Sequence, residues 1–195
     1  MKTFVKVVFV IFIVVAIAYY FVVVKNNKPL DVLGQVQDFE LIDQNNNNFG
    51  YQNLKDKIWA VNFIFTSCQG VCPVMTKNMS EVEKNFSDNP NVNFVSISVD
   101  PETDTPEILK NYREKHNVDI DHWHFLTGER EKIKKIMFDD MKLGYADDTI
   151  FHSDRMVLID GQMRIRGYYT GTEKKEYTKL ANDISKLVKD QESHL

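Results

Sequence analysis

Cysteine is almost absent from this chain. Two occur in 195 residues, Cys68 and Cys72. A structural zinc site needs four ligands in close pairs, and no convincing fourth ligand accompanies these two. A basic surplus is missing as well. Residues 1–28 carry Lys2, Lys6, Lys25 and Lys28 and no acid, which leaves 20 basic and 28 acidic residues in 29–195, a formal net charge of −8. Nucleic-acid binding requires a basic footprint, so that function is excluded, while a metal ion or a cationic partner is tolerated. No internal repeat is evident. The composition, 43% hydrophobic and 27% charged, is that of a globular chain, and the length suits one domain with an accessory segment.

The accessory segment is the run "VVFVIFIVVAIAYYFVVV", Val7 to Val24, 18 residues without a charge. At helical rise it spans roughly 27 Å, close to the hydrocarbon thickness of a bilayer. A cleaved signal peptide is the alternative, with Lys2 and Lys6 as its n-region and Ala16-Ile17-Ala18 as an A-x-A site. The chain stays apolar from Tyr19 to Val24, past that site, and only Lys25 ends the run. The expectation is therefore an uncleaved membrane anchor over 1–28, a linker over 29–37 and a folded domain over 38–195. Lysines flank both ends, so the positive-inside rule orients the segment only weakly. Both readings export the domain. With no Arg-rich transit peptide ahead of the anchor, the expected location is a bacterial cytoplasmic membrane with the domain on its extracytoplasmic side.

Within the domain, "FELIDQNNNNFGYQNL" places two short apolar stretches around an asparagine run, which reads as a hairpin. "IWAVNFIF" (58–65) is nearly all apolar and rich in β-formers, as a strand buried on both faces should be. It runs straight into "TSCQGVC". Pro73 then suits a first helical position, and Met75, Met79, Val82 and Phe86 make a helical stripe that ends at Ser87-Asp88-Asn89-Pro90. "VNFVSISV" is a second strand ending at Asp100. Asp104 and Thr105 are cap candidates before Pro106 and a helix. "HWHFLTG" is a strand, "EREKIKKIMFDDM" a helix, "RMVLID" and "MRIRGYY" a hairpin about Gly161-Gln162, and 174–189 the last helix.

That order, β-α-β-α-β-α-β-β-α, predicts an α/β domain. With a cysteine pair between the first buried strand and its helix, it predicts a thioredoxin-like sheet of the peroxiredoxin-like variant behind a single N-terminal transmembrane helix. Reactive groups in such sheets collect beyond the carboxyl ends of the parallel strands. Cys68, Cys72 and Asp100 follow such ends. His152 precedes "RMVLID" and joins them if that strand is antiparallel.

Two chemistries suit this constellation. Cysteines four apart at a helix start can close a disulfide, and the positive helix end favours thiolate. Two thiolates and an imidazole also make a soft three-ligand set that suits Cu(I) and can hold Cu(II) or zinc.

"FTSCQGVCP", "SISVDPETDTP", "WHFLTG" and "FHSDRMVLIDGQMRIRGYYTG" together resemble the Sco/SenC family of membrane-anchored copper chaperones, in order from Asp38 to Lys189. The resemblance implies copper ligands at Cys68, Cys72 and His152, held as Cu(I), Cu(II) or both, with Asp100 supporting the site. It implies a role in building the binuclear copper centre of cytochrome c oxidase. The main partner is then that enzyme's copper-binding subunit, with other copper chaperones or thiol-disulfide exchange proteins beside it. Many members carry a proline-aspartate pair between the cysteines. This chain has Gln69-Gly70-Val71 there, which should make the loop more pliable.

A rival reading is a membrane-tethered thiol-disulfide oxidoreductase that uses Cys68 and Cys72 catalytically without metal. Relatives of that kind usually space the cysteines CxxC and place proline before the later strand, where this chain has histidine. A peroxiredoxin-like peroxidase is more distant, since its nucleophilic cysteine normally stands alone. A purely structural bridge closing so short a loop removes little unfolded-state entropy. His122 and His124 are expected at a solvated strand start, His116 and His194 on the surface, and Met75 and Met79 in the core rather than as thioether ligands.

Overall fold

The computed structural model describes residues 2–20, 28–118, 121–144 and 153–193. His152 and His194 lie outside them. The chain divides into two compact units, Met1–Leu30 and Asp31–Leu195.

The first unit contains α1 (Lys2–Tyr19), where Phe4, Phe9, Phe12 and Tyr19 are exposed. Among the described residues no helix is long and apolar enough to cross a membrane. The expected span runs on to Val24, and its last four residues lie outside the described ones.

The second unit runs β1 (Gly34–Gln35), β2 (Glu40–Asp43), β3 (Asn48–Gly50), α2 (Tyr51–Leu54), β4 (Ile58–Ile64), α3 (Val71–Glu83), β5 (Val92–Ser98) and α4 (Pro106–Lys115). Then come β6 (Trp123–Thr127), α5 (Arg130–Lys134) leading into a π-helical turn (Lys135–Asp140), β7 (Arg155–Ile159), β8 (Arg164–Thr170) and α6 (Lys174–Glu192). The strands form one sheet in the order β1-β8-β7-β4-β5-β6-β2-β3. The central pairs β4–β5 and β5–β6 are parallel, and β7 lies antiparallel to β4. All seven residues of β4 and of β5 are buried, which requires cover on both faces of the sheet. On one face Trp59, Val61 and Phe63 join Val95, Ile97 and Leu126 in a core with Ile133, Ile136 and Met137. No residue of α3, α4 or α6 enters that cluster. Those helices carry a separate set of buried apolar residues, including Met75, Met79, Leu109, Leu180 and Ile184.

Several expectations need adjusting. The asparagine-rich hairpin is present as β2–β3, but the stretch 29–37 is more than a linker. Gly34 and Gln35 pair with Ile165 and Arg164 as an edge strand, and Val36 is 2% exposed. Helix α3 starts at Val71, so Pro73 is its third residue. It is tolerated there because first-turn amides have no intrahelical acceptor. The helix also ends early, since Asn85 and Phe86 bond to the carbonyls three residues back and tighten the last turn, although Phe86 remains buried. Met75 and Met79 are fully buried, as their helical spacing requires.

The paired histidines are the clearest correction. Rather than marking a solvated strand start, His124 packs its ring 4.5 Å from that of Phe49, and burial pushes its pKa down to about 4. His122 Nε2 stands 3.5 Å from the buried carboxylate of Glu83. The aromatic residues around this strand exclude water that the local sequence pattern leaves in place.

Candidate functional site

The site grows out of β4. Its apolar residues carry the chain through the core, and the chain emerges at Phe65 and turns, with the Cys68 amide donating to the Phe65 carbonyl at 3.1 Å. Gly70 caps α3 without a side-chain bond, at φ −112°. No atom lies within 4 Å of where a Cβ would sit on it, so the loop shape does not itself demand glycine. Cys72, the second residue of α3, is 1% exposed, and Cys68 is half-buried.

The two sulfurs differ in character. Burial pushes the Cys68 thiol up, but the backbone amides of Cys72, Gly70 and Val71 and the Cys72 side chain hydrogen-bond to it, and its pKa ends below the ordinary thiol value. This is the helix-start effect in atomic form. Burial drives Cys72 the other way, to about 12. The Phe65 backbone lowers it, while Cys68 and the charge of Asp104 raise it further. Of the two, Cys68 is the more readily deprotonated and Cys72 the one that holds its proton more firmly.

Beneath the pair lies a buried polar layer. Asp104 is 0% exposed. It accepts from the Thr66 amide (3.0 Å), the Thr66 hydroxyl (2.5 Å) and the Ser98 hydroxyl (2.5 Å). The Tyr112 hydroxyl lies 3.0 Å from that of Thr76, and burial pushes the tyrosine to about 12. Of the two cap candidates, Thr105 is the cap, accepting from the Ile108 amide, and Asp104 turns inward. Asp104, Thr66 and Ser98 were absent from the sequence-based site. The available signal was redundancy, because α4 needs one cap and the sequence offers two.

Asp100 follows the end of β5. Its amide donates to Ser98 Oγ at 3.1 Å, and its carbonyl accepts from Thr103 and Asp104. Its carboxylate faces Arg130 at 3.7 Å, and Arg130 also pairs with Glu102. His152 lies outside the described residues, but β7 is antiparallel to β4, with Asn62 opposite Met156. The start of β7 therefore lies at the cysteine edge. Ser153 and Asp154, which follow His152, line a cavity of about 760 Å³ together with Val71, from between the cysteines, and with Lys142, Leu143 and Tyr168. Among the described residues no group of three or more His, Cys, Asp or Glu could hold a metal ion. The two thiols alone are a soft donor pair that fits copper.

A family model described as SCO1/SenC matches residues 29–189. The SCO1 protein homolog of Bacillus subtilis (strain 168) is 30% identical over 156 residues, covering 77% of this chain and 81% of that protein. The structure of BsSco, a member of the Sco family of cytochrome c oxidase assembly proteins in which a disulfide switch was identified, superposes with a TM-score of 0.73 at 29% identity, over 82% of this chain and 97% of that one. Copper-bound ScoI of Bradyrhizobium japonicum does so with a TM-score of 0.64 at 28% identity, over 78% and 99%.

Proposed function

The chain belongs to the SCO1/SenC family, and from that premise we propose that it is a membrane-tethered copper metallochaperone. Copper is its cargo. Cys68 and Cys72 bind it as thiolates and His152 as neutral imidazole, while Asp100 supports the site from the turn after β5. The recipient is the copper-binding subunit of cytochrome c oxidase. Val7 to Val24 anchors the protein in a bacterial cytoplasmic membrane, with the domain on the extracytoplasmic side.

The observation that carries this reading is the asymmetry of the two sulfurs. A thiolate-prone Cys68, ringed by the amides of Gly70, Val71 and Cys72, gives incoming copper its first ligand. Capture by Cys72 releases the proton that burial holds on it. Release runs in reverse, as the recipient's ligands replace these one by one and Cys72 takes its proton back.

The same asymmetry suits a second role, thiol-disulfide exchange with the recipient's cysteines. The Cys68 thiolate attacks one sulfur of a partner disulfide and expels the other as a thiolate. Cys72, giving up its proton, then attacks Cys68 in the mixed disulfide. The partner leaves with two thiols, and a Cys68–Cys72 disulfide remains. Copper stoichiometry on the reduced full chain in detergent, beside His152→Ala, tests the main reading. One tightly bound copper per chain is expected, weakened about tenfold or more by the substitution. Weak binding, or binding indifferent to His152, removes the chaperone reading and leaves the dithiol chemistry.

A further inference from the structure

Asp104 is buried at the cysteine edge with no ligand role assigned to it and no capping duty. We propose that it is a positioning residue that holds the Phe65–Cys68 loop in the shape that accepts copper and ties that loop to the turn carrying Asp100; this rests on the copper reading above.

Both carboxylate oxygens take part. Oδ1 accepts the Thr66 hydroxyl, and Oδ2 accepts the Thr66 amide and the Ser98 hydroxyl. Thr66 is thus clamped at backbone and side chain together. Its neighbour Phe65 contacts both cysteines, because its carbonyl accepts the Cys68 amide and its backbone hydrogen-bonds to the Cys72 sulfur. The peptide between residues 65 and 66 carries both the carbonyl that accepts the Cys68 amide and the Thr66 N–H that Asp104 holds, so the Asp104 clamp opposes a rotation that would break the Cys68 contact. Ser98 is the last residue of β5, level with Ile64 of β4. Besides donating to Asp104, its hydroxyl accepts the Asp100 amide. One carboxylate and one serine therefore join the strand-to-helix loop after β4 to the turn after β5. Among the described residues no lysine or arginine pairs with Asp104, and its partners are two hydroxyls and one amide. Such partners are directional, and they fix geometry more narrowly than a flexible cation does. Groups behind metal ligands that hold them in this way typically shift affinity by about 10–100-fold when removed.

The test compares wild type, Asp104→Asn and Thr66→Val as full chains in detergent. Thr66→Val keeps the amide and the shape of the side chain and removes only the hydroxyl, so it reports even if Asp104→Asn does not fold. Two properties are read. The first is Cu(I) affinity in competition with a chromophoric chelator. The second is the rate at which Cys68 is alkylated by iodoacetamide in metal-free protein. The expected result is about a tenfold loss of copper affinity and an alkylation rate shifted severalfold in folded variants. Unchanged affinity and unchanged alkylation, with only a lower denaturation midpoint, would overturn the proposal and leave Asp104 structural. If wild type itself binds no copper, the chaperone reading fails, and the alkylation rate alone then decides for or against the clamp.

Discussion

Asp104 and Asp160 are the same side chain at similar burial, placed at opposite edges of one sheet. Asp104 lies at the carboxyl end of β5, beside the cysteines. Asp160 follows β7 where Ile159 pairs with Trp59, near the start of β4, and it is surrounded by full positive charges. It accepts from Arg164 Nε at 2.8 Å and Arg166 Nη1 at 2.6 Å, and from the amides of Gln162 and Arg164. Among the described residues, the Asp104 carboxylate is met by two hydroxyls and an amide. At the edge away from the cysteines the fold neutralises its buried carboxylate with arginine. At the cysteine edge the buried carboxylate is held by directional bonds from hydroxyls and an amide instead. Local departures from full compensation of this kind are expected where function is carried.

Breaking the neutralised edge should have the largest effect on stability. Asp160→Ala removes the carboxylate that Arg166, whose side chain is 8% exposed, meets with Nη1, and is expected to cost about 3 kcal/mol by urea denaturation, the low end for a broken buried pair. Copper affinity should not change, and a matching loss there would merge the two edges into one unit. Burial pushes the Asp160 carboxyl up, but Arg166 and Arg164 outweigh it and hold the group below the ordinary carboxylate range. Its stabilisation is therefore complete above the unfolded pKa of about 3.9 and is lost as pH falls through the lower folded value. A stability-versus-pH curve for Asp160→Asn should be flatter below about pH 4 than that of wild type.

The cysteines sharpen the comparison at the other edge. Alkylation followed by mass spectrometry across pH should modify Cys68 with a midpoint below that of an ordinary thiol, while Cys72 resists until about pH 12. Equal reactivity of the two would remove the asymmetry on which the proposed capture and release depend. The smallest effect is expected at Glu102, an exposed partner of Arg130. Glu102→Ala should leave the denaturation midpoint where it is, since exposed ion pairs contribute little.

Much of this was legible in advance because short-range rules govern it. The run 58–65 announced a strand buried on both faces, and the helical spacing of Met75 and Met79 announced core. The position of Cys68 and Cys72 between a strand and a helix announced a reactive edge. Other features were hidden for specific reasons. β1 at Gly34–Gln35 has no strand signature, and only pairing with Ile165 and Arg164 makes it one. His124 reads as polar until Phe49 closes over it. Asp104 reads as a helix cap until Thr105 is seen to do that work.

What the amino-acid order determined by itself is the alternation of strands and helices and the identity of the soft donors, because periodicity and side-chain chemistry are local properties. What only the tertiary structure decided is which residues close over the polar groups of the cysteine edge, and that β1 is a strand at all. Those depend on groups far apart in the chain, Thr66 with Asp104 and Gly34 with Ile165, and a buried polar group is satisfied by what lies across space rather than along the backbone.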